Sequence, residues 1–297
     1  MKLLLKSLVL VLGLAAASPA MAVSYSCGDW KKDDFWKRAT PATIADCVQD
    51  TGFAMNYSLE VRDKRGNTPL FYAANYSSNP DVINLLIASG ADVNTSNDQG
   101  RTPLHYAARN TANPDVITAL INAGADVNAR DEDGLTPLYE AAISNRNPEF
   151  INLLIASGAD VNARTTDGST ILSEVAAWAA NPEVITALIA SGADVDARNV
   201  RGETPLDRAA TFGNPDFINL LIASGADVNA RNGWGGTPLH SAAEWNTNPD
   251  VITALIKAGA DGSLTDRHGK TPFDLAEERE ALENTDAYWA LSEARFK

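Results

Sequence analysis

The sequence predicts an all-α chain: a solenoid of helix-turn-helix units joined by hairpin-like loops. Thr-Pro recurs at Thr68, Thr102, Thr136, Thr204, Thr237 and Thr271, and Thr170-Ile171 holds the same frame. Successive spacings are 34, 34, 34, 34, 33 and 34 residues, a period that belongs to stacked repeats rather than to independent domains. Each period also pairs two short apolar stretches carrying helix-start signals, then closes on Gly and a polar stretch. Composition suits a folded chain: 45% of residues are hydrophobic, 21% charged and 7% aromatic. That excludes collagenous, low-complexity and disordered classes.

Taken in order, residues 1–22 read as a signal peptide. Lys2 and Lys6 precede the apolar run Leu8–Ala17, and Ala20-Met21-Ala22 supplies small residues for cleavage. The run falls short of the ~20 residues that a membrane span needs. No Leu-x-x-Cys leads into Cys27, which disfavours a lipid anchor. The mature chain is expected to start near Val23, exported to the periplasm or secreted. Its net charge would go from -14 to -16 with the loss of Lys2 and Lys6. A surface that acidic repels phosphate backbones and anionic lipid, so nucleic acid is not an expected partner, nor is membrane insertion after cleavage.

Residues 23–65 form an N-terminal cap. Export would place Cys27 and Cys47 in an oxidising compartment, where two lone thiols pair. Closing the loop between them would contribute ~3 kcal/mol in the chain-entropy model. The bridge would pin the aromatic segment Trp30–Trp36 near Ile44 and Val48; the alternative is two buried free thiols. A helix is expected over Pro41–Asp50, then a degenerate loop over Gly52–Arg65.

One full unit shows why each repeat folds as it does. Thr102 can cap a short helix and Pro103 suits its first turn, where a missing N–H costs nothing. Ala107 and Ala108 are small enough for a neighbouring unit to approach closely. Asn113 and Pro114 repeat that start for a second helix, and Asp115 favours its positive end. Ile117, Leu120 and Ile121 make one apolar face, and Gly124 stops the helix in a left-handed turn. Neither helix buries its face alone, so units must stack.

A period of 34 also fits tetratricopeptide repeats, but those need their own Trp, Gly, Tyr and Phe pattern. Thr-Pro-Leu-His-x-Ala-Ala at Thr102–Ala108 and Gly-Ala-Asp-Val-Asn at Gly124–Asn128 instead resemble ankyrin repeats. The resemblance implies six repeats over 66–264 and a C-terminal partial repeat with a capping helix over 265–297. Each unit carries one residue more between its helices than the common 33-residue unit, except the fifth, Gly202–Trp234. The fourth departs most, with Ile171 for Pro and Val175 for Ala, which should loosen its first helix. The acidic run Glu277–Glu280 and the amphipathic stretch Tyr288, Trp289, Leu291 and Phe296 suit a cap. With the signal peptide and the two cysteines, the chain is similar to exported bacterial ankyrin-repeat proteins.

Little in the sequence points to catalysis, a metal or a cofactor. His240 beside Ser241, with Asp207 one repeat earlier, suggests a nucleophile system only at first sight. His240 and His105 hold the fourth position of Thr-Pro-Leu-His, where the family's His supports the loop. His268 has no second ligand at metal spacing. Asp131, Asp133, Gly134 and Glu140 match part of a calcium loop, but its first position is Ala129 and Thr136-Pro137 starts a helix inside it. Arg130, Arg164, Arg198 and Arg231 form a ladder in register. It reads either as a solvated face balanced by Asp126, Asp160 and Asp194, or as a grip for an acidic partner.

The pattern eight residues after each framing Thr is more informative: Tyr76, Asn110, Ser144, Trp178, Phe212 and Trp245. In the family that position faces a concave recognition groove. Three consecutive units place large aromatics there, and Trp234 adds another at a loop tip. Exposed rings in register suggest a binding hot spot; the alternative is rings packed on one another. The expectation is a monomeric, non-enzymatic module that binds a partner protein, periplasmic or of a host, through the groove and loop tips. Affinity would come from Tyr76, Trp178, Phe212, Trp234 and Trp245, and specificity from Glu140, Glu174 and Arg208. The rival expectation is a small ligand or glycan stacked on the aromatic row.

Overall fold

Every Thr-Pro step starts a helix, and so does every Asn-Pro step that the structure describes in full. The computed structural model describes residues 30–49, 59–178, 181–213, 215–279, 282 and 285–296. The first helices are α1 (Asp33–Arg38), α2 (Pro41–Gln49), α3 (Pro69–Tyr76), α4 (Pro80–Ala88), α5 (Pro103–Asn110) and α6 (Pro114–Asn122). Next come α7 (Pro137–Glu140), extended by a π-helical turn at Ala141–Asn145, then α8 (Pro148–Ala156), α9 (Ile171–Trp178) and α10 (Pro182–Ala190). The chain continues through α11 (Pro205–Phe212), α12 (Pro215–Ala223), α13 (Pro238–Trp245), α14 (Pro249–Lys257), α15 (Pro272–Glu277) and α16 (Asp286–Ala294). Asn79, Asn113, Asn147, Asn181 and Asn248 each accept the N–H two residues on, at 2.9–3.0 Å. Those bonds satisfy a donor that a helix start otherwise leaves open.

Odd-numbered helices stack on odd ones and even on even, giving two layers. The first layer packs more closely because its contact positions are small: Ala73, Ala74, Ala107, Ala108, Ala209, Ala210, Ala242 and Ala243 are fully buried. Larger Val, Ile, Leu and Phe side chains fill the space between layers, as at Val116, Ile117, Leu120, Phe150 and Ile151. The stack is closed at the N-terminal end by Trp30, Phe35, Trp36 and Ile44, with Trp30 edge-on to Tyr72 at 5.4 Å. It is closed at the other end by α16, where Leu291 is buried while Trp289 and Phe296 stay exposed. Among the described residues no helix is long and apolar enough to cross a membrane.

Two hydrogen-bonded ladders lock the loops. Asn94, Asn128 and Asn162 each accept from the next unit's Asp126, Asp160 or Asp194 N–H, and each donates to that unit's Gly124, Gly158 or Gly192 carbonyl. At the tips, Glu132 N donates to Gln99 O, Thr166 N to Asp133 O, Val200 N to Asp167 O and Gly233 N to Arg201 O. The hairpin-like loops therefore join one another, and among the described residues only Arg164 and Thr170 form a bridge.

The Arg ladder is exposed, as a solvated face requires, but its intramolecular partners are carbonyls rather than the expected acids. Arg164 donates to Gly168 O and to Arg198 O at 2.9 and 2.7 Å; Arg198 and Arg231 do the same one unit further on. Arg130 donates to Arg164 O. Each guanidinium, though exposed, staples neighbouring loops through carbonyls instead of pairing with Asp126, Asp160 or Asp194.

The loosened helix also lies elsewhere than expected. In the fourth unit α9 keeps all eight residues, with Ile171 and Val175 buried. It is the third unit that departs: Arg146 N bonds to Ala141 O, and Arg146 sits at φ 60°, the only non-Gly residue with positive φ among those described. The fifth unit's shorter linker is confirmed between α11 and α12. Cys27 and Gly52–Ser58 lie outside the described residues, as do residues 1–22; Cys47 lies half-buried on α2.

Candidate binding groove

Trp178, Phe212 and Trp245 are the last residues of α9, α11 and α13. Small residues already fill the stacking positions of these helices, so the rings project from the helix ends along the layer of odd-numbered helices. They remain 54%, 48% and 62% exposed. Trp178 and Phe212 stack with centroids 4.8 Å apart and planes 23° from parallel. So the rings pack on one another and yet keep about half their surface in water.

Phe212 and Trp245 wall a groove of about 870 Å³ between α11, α13, α15 and the loop tips. Trp234 closes it from the loop side, half exposed; Asn232 Oδ1 accepts its N–H and its carbonyl accepts from Arg267 N. Arg208 lies on the same wall, its guanidinium carbon 5.1 Å from the Phe212 ring centre and its Nη2 3.4 Å from both Glu174 oxygens. The structure thus brings Arg208, Phe212, Trp234 and Trp245 around one space. Trp178 and Glu174 extend it by direct contact.

Of the other residues expected at the binding surface, Tyr76 lies apart from this groove and Glu140 is buried. Tyr76 is half-buried near the N-terminal cap, with its ring 6.2 Å from that of Tyr72 and the Lys37 ammonium 5.9 Å from its centre. Glu140 is 4% exposed. Its oxygens face Arg101 Nη2 at 3.5 Å and Arg109 Nη1 at 3.9 Å, and Ser144 donates to it at 3.3 Å. Burial removes Glu140 from any partner and makes it an internal charge anchor.

The histidines support loops as the repeat motif implies. His105 Nδ1 accepts Thr102 N–H at 3.1 Å, so the ring proton sits on Nε2 and points to Leu135 O at 3.1 Å. His240 repeats this with Thr237 and Lys270 O. Burial lowers the pKa of both rings, against the pull of those carbonyls, which keeps them neutral. The Asp207 carboxylate is turned to Thr204, not to His240. The calcium-like residues are also occupied: Asp131 accepts from Asp133 N, Leu135 N and Arg101 Nε.

Charged residues that the sequence did not assign to the groove also line it: Arg201, Glu203, Glu244, Asp266, Lys270 and, from the acidic run expected in the cap, Glu278. Glu244 and Glu278 occupy the position just before the aromatic one in the same register, so extending that register by one residue finds them. Val200, 75% exposed at a loop tip, had no such signal.

A family model described as ankyrin repeats (3 copies) matches residues 44–131, 111–199, 138–232 and 206–291. The crystal structure of the human ASB11 ankyrin repeat domain superposes with a TM-score of 0.66 at 28% identity, covering 77% of this chain and 98% of that one. An ankyrin repeat protein of fowlpox virus (strain NVSL) is 52% identical over 40 residues. That match spans 14% of this chain and 8% of the viral protein.

Proposed function

This chain belongs to the ankyrin-repeat family, and from that premise we propose that it is an exported, monomeric module that holds a partner protein in its concave groove, without catalysis. Ankyrin repeats are protein–protein interaction modules. The observation that carries the reading to this groove is the set of half-exposed rings, Trp178, Phe212, Trp234 and Trp245, on one face. Rings of this kind dominate interface energetics, and monomers rarely leave several uncovered together. The rigid backing matters as much. Asn and Arg ladders fix the loops beforehand, so little ordering cost falls on binding.

Export rests on residues 1–22, which combine a basic start, an apolar run and a small-residue cleavage site. The same compartment would oxidise Cys27 and Cys47 to the bridge that ties the cap to α2. A periplasmic partner and a host protein both fit an exported chain.

A paired capture tests the reading. The mature chain, residues 23–297, and its Trp178→Ala, Phe212→Ala, Trp245→Ala variant would each be exposed to periplasmic extract and to eukaryotic host extract, with folding checked by circular dichroism. A protein retained only by wild type supports the groove, and the extract it comes from gives the destination. Equal retention by both baits defeats it.

A further inference from the structure

The charged residues of the groove say more about what it holds. Three cations and four carboxylates line it: Arg201, Arg208 and Lys270 against Glu203, Glu244, Asp266 and Glu278. Two of the cations are already neutralised within the protein. Arg208 is held by Glu174 at 3.4 Å and Lys270 by Glu278 at 2.6 Å. That leaves Arg201 in the lining against three further carboxylates. Among the described residues the Glu203 side chain accepts only the neutral Asn199 amide, and that of Asp266 only the backbone N–H of His268 and Lys270. The Glu244 side chain makes no hydrogen bond or ion pair among the described residues, although Lys270 lies within electrostatic range of it.

Three carboxylates without an ion pair of their own among the described residues therefore lie in the same groove as two exposed indoles, Trp234 and Trp245, with Arg279 reaching only the Glu244 backbone carbonyl and Lys270 shared with Glu278. An indole face attracts a cation through its quadrupole, and a nearby carboxylate adds a charge-assisted partner. An acidic partner segment would meet repulsion from Glu203, Glu244 and Asp266. A neutral one would leave their charge unanswered.

We propose that this groove receives a lysine or arginine side chain from an extended segment of the partner protein, seated against Trp245 and Trp234 with Glu244 as its counter-ion. The proposal rests on the protein-binding reading above and specifies the chemistry of that partner. The geometry also sets a spacing. Neighbouring helices in a layer lie roughly 8–10 Å apart, and an extended or polyproline chain advances about 3.1 Å per residue. Every third residue of the bound segment then meets a new unit, with an apolar side chain free to cover Phe212 and Trp178.

The test uses the full mature chain and a synthetic peptide of three Pro-Gly-Lys units, with tryptophan fluorescence as readout. Matched peptides carry Glu or acetyl-lysine in place of Lys. The lysine peptide should bind at low salt and weaken as salt rises. Acetylation should weaken it about tenfold, and Glu244→Gln severalfold, since each removes one member of a cation–carboxylate–aromatic set. Asp115→Asn, an exposed acid in the layer of even-numbered helices at the start of α6, should leave affinity unchanged. Equal loss with Asp115→Asn overturns the proposal, because attraction would then come from net charge alone. Equal binding of the acetylated peptide, or binding of a neutral glycan panel with none of the lysine peptide, overturns it too. Failure here with groove-dependent capture intact discards the cation and keeps the protein-binding groove; failure of capture discards both.

Discussion

The Trp178 indole lies over the Phe212 ring, 4.8 Å between centroids and 23° from parallel, so two successive units are joined by a stack on the surface as well as by the core. Half of each ring stays in water, which limits what the contact contributes to folding and leaves its outer face for a partner. A double-mutant cycle with Trp178→Ala and Phe212→Ala should return a coupling of about 1 kcal/mol in urea unfolding. Partner binding should lose more than stability does from either change. A zero coupling would mean that the rings meet only by chance.

The Asn ladder has one flaw. Asp196 stands where Asn94, Asn128 and Asn162 stand in other units; it accepts Asp227 N–H at 3.0 Å but has no donor for the Gly225 carbonyl. Asp196 N also donates to Asp194 Oδ1, so the site brings two carboxylates together. Asp196→Asn should stabilise the chain by about 1 kcal/mol, the worth of one added hydrogen bond with less repulsion. Chemical denaturation of the pair of proteins gives the answer, and no gain would show that water serves Gly225 equally well.

The fifth unit's shorter linker is possible because of Gly213. A Cβ there would lie 2.7 Å from Ala209 O and 2.8 Å from Ala176 O, both of them backbone atoms that cannot swing aside. Its φ of -83° is ordinary, so the constraint is space rather than conformation. Gly213→Ala should cost about 2 kcal/mol and lower the melting temperature accordingly. The same substitution at Gly90, where a Cβ would meet nothing within 4 Å, is opposed only by its positive φ of 106°.

Repeat frame, helix starts and linker deletion were legible because each depends on local signals copied unit after unit. Thr-Pro and Asn-Pro mark two starts, and Gly marks one stop. The aromatic row was legible for the same reason: register alone identifies a shared face. What register cannot give is a contact across units whose partners are not repeated. Glu140 looked like a surface acid because nothing in its own unit shows that Arg101, one repeat earlier, reaches it. The stapling by Arg130 and its equivalents was not legible because their partners are carbonyls, which carry no sequence signature. The π-helical turn ending at Asn145 follows from a backbone choice at Arg146, and no residue type there announces it.

Asp207 provides a pH dependence with a definite sign. It occupies the position of His105 and His240, where an imidazole Nε2–H reaches the next loop's carbonyl. The shorter carboxylate keeps the cap, with Oδ2 accepting from Thr204 N and Thr204 Oγ1 at 2.9 and 3.0 Å, but its buried Oδ1 has no partner. Burial pushes its pKa up to about 7, against the lowering effect of the Thr204 bonds. In the unfolded chain an aspartate titrates near ~3.9, so the folded state holds the proton more tightly. Stability from this group is therefore complete below that unfolded value and is lost as pH rises through about 7. Asp207→Asn keeps an acceptor for Thr204 N and cannot ionise. The melting temperature of wild type should fall relative to Asp207→Asn between about pH 5 and about pH 8, by several degrees. Because other groups titrate alike in both proteins, a constant difference across that range would show that Asp207 keeps one protonation state throughout.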